Sequence, residues 1–150
     1  MAATTARASC PTCCDLAARF SVTIIYALNG QGRCRQRLNS APTRGRVATS
    51  ILAVAEVFYG VENSSRREEN LQRVQRELEL FDIYPVTTQT ARIYAKIRTE
   101  TERAGRTKGQ GGKIDLLLAA TAIENDAVLV THDGDLLDGA ITGLQVEDWY

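Results

Sequence analysis

A chain of 150 residues is the size of one domain and can bury a core without disulfides or a structural metal. Its 44% hydrophobic and 24% charged residues are those of a soluble globular protein, and a formal net charge of zero excludes any argument for a partner from bulk charge. The balance hides an asymmetry: all 18 Lys and Arg lie at or before Lys113 with ten acids, and eight acids follow, so the two parts carry +8 and −8. That division suits a protein holding a metal cation beside a polyanion, and equally two solvated surfaces of opposite sign.

Residues 1–19 are rich in Ala, Thr, Ser, Arg and Cys without an apolar period and predict a poorly ordered arm ahead of a single domain over 20–150. Cys10, Cys13 and Cys14 crowd into that arm, with Cys34 beyond it. A Cys-x-x-Cys pair can begin a zinc site, but the only histidine, His132, is remote, so free thiols in a reducing cytosol are expected. No stretch reaches the ~18 apolar residues of a membrane helix, and the N-terminus lacks the apolar core of a secretory signal, which gives a cytoplasmic expectation.

The β-branched and aromatic run FSVTIIY at 20–26 predicts a first strand, ended by the turn pair Asn29-Gly30, and residues 33–38 a short basic helix. A second short strand over 46–50 leads into an apolar helix from Ile51 to about Glu62, with Ser50 as its N-cap. Ser64-Ser65 separates it from a polar surface helix over roughly 66–80, with Leu71, Val74 and Leu78 on one face. Residues 82–86 form a strand candidate weakened by Pro85. Thr87 or Thr88 then caps a helix that carries Ile93, Ile97 and Ala104 inward and is stopped by Gly105. The glycine- and cation-rich segment 106–112 reads as a loop, Asp115 opens a helix through Ile123, 127–131 is a buried strand, and 144–149 gives a last short one. This alternation, with a continuous apolar strand of the kind buried on both faces, predicts a three-layer α/β/α sandwich on a mostly parallel sheet.

In such a sheet ligands gather beyond the carboxyl ends of the strands, where Asp133 stands, with Asp135 two residues on and Gly134 permitting the turn. The plainer reading is that both acids cap a short helix. Glu56 has Leu52, Ala53, Tyr59 and Gly60 three and four positions away, so it projects from an apolar stripe, where a carboxylate needs a cation beside it. Asp115 sits at a natural N-cap position, favoured by the helix dipole. Together the three acids can meet at one sheet edge, and a cluster of oxygens suits Mg²⁺ or Mn²⁺ better than zinc.

Other chemistries fit less well. No Gly-rich loop ends in Lys-Ser/Thr, Gly109-Gln-Gly-Gly112 lacks the preceding strand of a nucleotide fingerprint, and no Gly-x-Ser-x-Gly elbow offers His132 a nucleophile. His132 reads as a loop residue at the rim of the site. A phosphoacceptor domain also gathers acids at strand ends but needs a late lysine, and none follows Lys113.

Four runs in order, TSILAVAEVFYG at 49–60, DLLLAATA at 115–122, LVTHDGD at 129–135 and GLQVEDW at 143–149, resemble the PIN-domain family, and within it the VapC toxin ribonucleases. The resemblance implies an α/β/α fold, an acid cluster binding Mg²⁺ or Mn²⁺, hydrolysis of RNA phosphodiesters, a homodimer and a VapB-like antitoxin. By motif position Glu56, Asp115 and Asp133 match the family's catalytic acids, with Asp135 as a further metal ligand. One departure stands out. Where the family's first metal-binding Asp belongs, this chain has Ser21, and Asp15 is the only acid upstream. The resemblance thus implies a metal-dependent endoribonuclease toxin whose activity is open to impairment, or a PIN-fold binding module that pairs with an antitoxin or with itself. In the first case Arg33, Arg35, Arg37, Arg106 and Lys108 would hold RNA phosphates without reading bases.

Overall fold

The computed structural model describes residues 19–21, 36, 47–106, 110–138 and 141–149. Expectations for the N-terminal arm, the cysteines, the Asn29-Gly30 turn and the first strand beyond Ser21 lie outside the described residues. Of the expected basic helix over 33–38, Gln36 is described, and it is helical.

The described elements are β1 (Arg19–Ser21), β2 (Val47–Ser50), α1 (Ile51–Glu62), α2 (Arg67–Leu78), β3 (Asp82–Tyr84), α3 (Thr88–Arg103), α4 (Gln110–Glu124), β4 (Val128–Val130), α5 (Gly134–Leu137) and β5 (Gln145–Glu147). The five strands form one sheet in the order β3-β2-β1-β4-β5, every pair parallel. Pro85, which cannot donate a ladder hydrogen bond, follows immediately after β3, and that strand lies at the sheet edge. In the centre, Phe20 is in register with Ala48 on one side and Leu129 on the other, and Ser21 with Val130. The chain leaves the central strand toward β2 and β3, then crosses back to β4 and β5. The crevice between the carboxyl ends of β1 and β4 is therefore the topological switch point.

The core explains why these segments hold together. Ala53, Val57 and Val61 of α1, Val74 of α2 and Ile97 of α3 pack with Leu116, Leu118, Ala119, Ala120 and Ala122 of α4 and with Leu129 of β4. The Ala-Ala-Thr-Ala run of α4 is wholly buried, and such short side chains let the helix lie close to its neighbours. Thr121, at 0% exposure, donates its hydroxyl to the Leu117 carbonyl at 2.8 Å, so it buries no unpaired donor.

Two local expectations change. Helix α4 starts at Gln110, so Gly111-Gly112 are helical rather than part of a loop over 106–112. Each glycine costs about 1 kcal/mol against alanine in a helix, a penalty small beside the burial of Leu116, Leu118, Ala119, Ala120, Thr121 and Ala122 further along the same helix. Ala104 is exposed at the C-cap of α3 rather than turned inward, because Gly105 at φ +72° ends the helix with the Arg106 amide bonded to the Thr101 carbonyl at 3.0 Å. The α4 terminus closes in the same manner around Asp126, a non-glycine residue at φ +50°, with the Ala127 amide bonded to the Ala122 carbonyl at 2.9 Å.

Candidate active site at the carboxyl edge of the sheet

Because all five strands are parallel, their carboxyl ends share one edge, and β2, β1 and β4 contribute Ser50, Ser21 and Val130 to it. The expected acids reach this side by three routes. Helix α1 begins where β2 ends: Ser50, fully buried, accepts from the Leu52 amide at 3.2 Å, and Glu56 follows in the second turn. Helix α4 turns into β4 through only three residues, so it descends antiparallel to that strand. Its rise over the nine residues from Asp115 to Glu124 is about 13 Å, which carries Asp115 from the carboxyl side. Asp133 comes three residues after β4 ends.

Glu56 is exposed, which corrects the expectation that it projects from a buried stripe. The stripe α1 actually buries runs through Ala53, Val54, Val57 and Val61, and Tyr59 beside Glu56 is itself 70% exposed. An apolar composition did not dictate which side of the helix met the core.

Asp115 is half-buried and lies in the second turn of α4, not at its N-cap, because the helix extends five residues upstream of it. Asp133 is the N-cap of α5: its Oδ1 accepts from the amides of Asp135 at 3.0 Å and Leu136 at 3.2 Å. The capping alternative for Asp133 is thus realised, while Asp135 is exposed in the first turn of α5, where the helix dipole favours it. Two partners were not anticipated from sequence. The Thr131 hydroxyl accepts from the Asp133 amide at 3.1 Å, fixing the turn that presents the carboxylate, a contact the Thr-x-Asp spacing could have suggested. His132 is exposed at the rim, with Nδ1 3.1 Å from Oδ2 of Asp148, sixteen residues on, and local sequence carries no signal for that pair.

The donor chemistry here, carboxylate oxygens, is that of a hard divalent cation. Among the described residues, however, no three Asp, Glu, His or Cys side chains stand together as a metal-holding group. Glu56, Asp115 and Asp133 approach one edge by separate elements without closing into such a set, so the described side chains do not by themselves constitute a metal centre. Of the cations expected to hold RNA, Arg106 is exposed just past α3, and Arg33, Arg35, Arg37 and Lys108 lie outside the described residues. Among the described residues no helix is long and apolar enough to cross a membrane.

A wholly parallel five-stranded sheet with helices between its strands defines a protein of the α/β class. The PIN-domain sequence profile matches residues 22–141, and the chain belongs to the PIN-domain family. It is 33% identical over 110 residues to ribonuclease VapC2 of Rickettsia felis, covering 73% of this chain and 80% of that protein. It is 26% identical over 129 residues to the tRNA(fMet)-specific endonuclease VapC of Shigella flexneri, covering 86% and 93%. The fold superposes on VapBC of Salmonella typhimurium bound to DNA with a TM-score of 0.75 at 28% identity, covering 89% of this chain and 99% of the other. On VapBC2 of Rickettsia felis bound to a promoter DNA fragment the TM-score is 0.72, also at 28% identity, covering 89% and 98%.

Proposed function

We propose that this protein is a VapC-type endoribonuclease, the toxin of a toxin–antitoxin pair, hydrolysing RNA phosphodiester bonds in the cytoplasm with a requirement for Mg²⁺ or Mn²⁺. The observation that carries the reading is the near end-to-end similarity to proteins named ribonuclease VapC2 and tRNA(fMet)-specific endonuclease VapC, in a chain whose parallel sheet turns its carboxyl edge toward acids. The partner proposed is a VapB-like antitoxin, because the similar solved structures are VapBC assemblies, and a homodimer is proposed with it.

In this reading Asp115 and Glu56 are the principal acids, with Asp133 supporting them and Asp135 beside it. A bound divalent ion would supply charge neutralisation at the scissile phosphate. The chain's own contribution is positional: the Thr131 and α5 amide contacts hold Asp133 in one orientation, and Arg106 supplies a cation for phosphates. The domain proposed for this activity is 20–150, with 1–19 as an arm outside it.

A second reading has one observation in its favour. The carboxyl end of the central strand, level with Val130, carries Ser21 and not an acid. That supports a PIN-fold binding module with impaired catalysis. The two separate on incubating purified protein with structured RNA and Mn²⁺ and repeating the assay with Asp115→Asn. Cleavage lost with that substitution supports the enzyme; intact RNA together with retained antitoxin binding supports the module.

A further inference from the structure

Among the described residues the cations divide into those paired with an acid and those that are not. On α2 and its approach, Arg67 pairs with Glu62 at 2.8 Å and Arg66 with Glu69 at 3.8 Å, while Arg73 and Arg76 have no ion pair with a described acid. On α3, Arg98 pairs with Glu102 at 2.8 Å and lies over the Tyr94 ring. Arg92, Lys96 and Arg103 have no ion pair with any described acid, and all three are exposed.

Their spacing puts them together. At about 100° per residue, positions 92, 96, 99 and 103 fall within roughly 60° of one another on a helix, and the three cations within roughly 40°, and they span about 16 Å of its axis. This face lies about 120° round the helix from buried Ile97. The fourth member, Thr99, donates its hydroxyl to the Ala95 carbonyl at 2.8 Å, so its proton is already committed and the stripe offers chiefly charge. No aromatic residue lies on it for stacking. Arg106 continues the line past the helix end, its amide fixed to the Thr101 carbonyl, and exposed Lys113 stands early in α4.

The α3–α4 hairpin orients the stripe relative to the candidate site. Thr87 and Thr90 at the start of α3 bind Glu124 at the end of α4, which pins the two helices antiparallel. Nine residues back along α4, Asp115 is then level with about position 97 to 99 of α3. The cationic end of the stripe lies past that level, at the hairpin tip.

We propose that the outer face of α3, through Arg92, Lys96 and Arg103 with Arg106 at its end, is an RNA-backbone exosite that holds the substrate strand by its phosphates one helix away from the acids. This rests on the ribonuclease reading above and adds a substrate-holding surface to it. A stripe of cations without apolar or aromatic members fits a polyanion rather than a protein groove-binder, and binding through it is sequence-independent.

The test is fluorescence anisotropy of full-length protein with a single-stranded RNA oligonucleotide in EDTA across a salt series, recovery of intact oligonucleotide being checked on a gel. At about −0.7 per phosphate contact, Arg92→Gln/Lys96→Gln/Arg103→Gln should lower the slope of log K against log salt by about 2, and affinity at about 0.1 M salt by about 100-fold. The control Arg66→Gln/Arg67→Gln/Arg76→Gln changes net charge equally on α2 and should stay within about twofold of wild type, with both variants melting as wild type does. An unchanged slope in the α3 variant, or an equal loss in the control, overturns the exosite. So does a loss seen with a poly-glutamate peptide but not with RNA, which makes the face a protein-docking surface. Because the readout is binding, intact exosite binding without any cleavage would defeat the ribonuclease reading alone, and cleavage without the slope change would defeat only the exosite.

Discussion

Replacing Glu124 tests how the α3–α4 hairpin is held, because two threonine hydroxyls depend on this one carboxylate. Thr87 caps α3 by accepting from the Gln89 and Thr90 amides, both at 3.1 Å, and Thr90 returns the contact by accepting from the Thr87 amide at 2.9 Å. Each hydroxyl has a single proton to give. Thr87 donates its own to Glu124 Oε1 at 2.6 Å and Thr90 donates to Oε2. Thr90 is fully buried, so no water replaces the acceptor there. A hydrogen bond to a charged group contributes about 1.5–3 kcal/mol, and two are lost in Glu124→Ala. The 3.2 Å separation of the two hydroxyls lets one donate to the other afterwards, recovering about 1 kcal/mol. With the carboxylate only part-buried, a net loss of about 2–3 kcal/mol is expected, or roughly 5–10 °C in Tm for a domain of this size. The same bonds, from Thr87 first and Thr90 second, hold the Glu124 carboxyl below the usual carboxylate range. A depressed pKa gives stability that is present above the unfolded value and lost as pH falls through the folded one, so wild type should weaken in acid while Glu124→Gln flattens that part of the profile. Urea unfolding at neutral and acid pH, with a Thr90→Val/Glu124→Gln double-mutant cycle, measures both. A loss under about 0.5 kcal/mol, or a coupling near zero, would refute the claim that this carboxylate closes the cap.

Asp133 is both a cap and a proposed catalytic acid, and serine separates the roles. Asp133→Ser preserves an oxygen acceptor for the α5 amides and should hold stability within about 0.5 kcal/mol, whereas Asp133→Ala should cost about 1 kcal/mol. Abolished RNA cleavage in the serine variant assigns the carboxylate to the reaction, and full activity limits it to capping. Leu129→Ala, at a position with 0% exposure in the central layer, should cost about 2–5 kcal/mol in chemical denaturation. Asp126→Gly, which relieves the left-handed backbone at φ +50°, should raise stability by about 0.5–1 kcal/mol, and a lowered Tm would contradict that account of the α4 terminus.

Local chemistry determined the parts of this protein whose causes are local. Ser50 as a cap, Thr87 at the start of α3, Gly105 at its end and the apolar run of β4 follow from side-chain oxygens, left-handed backbone and continuous burial, none of which needs a distant partner. The parallel α/β/α class followed from the alternation of such segments, and the order of four short runs was enough for the family. Only the tertiary structure decided which side of α1 met the core. Its composition is apolar nearly all round, so periodicity could not foresee that Glu56 and Tyr59 would face outward. Only packing carried α4 back through Gly111-Gly112 and moved Asp115 from a helix cap into a helix, since burial further along overrode weak local propensity. The pairs Glu124 with Thr87 and Thr90, and His132 with Asp148, join residues that meet because the chain folds back on itself, and nothing within a few residues of any of them predicts the contact.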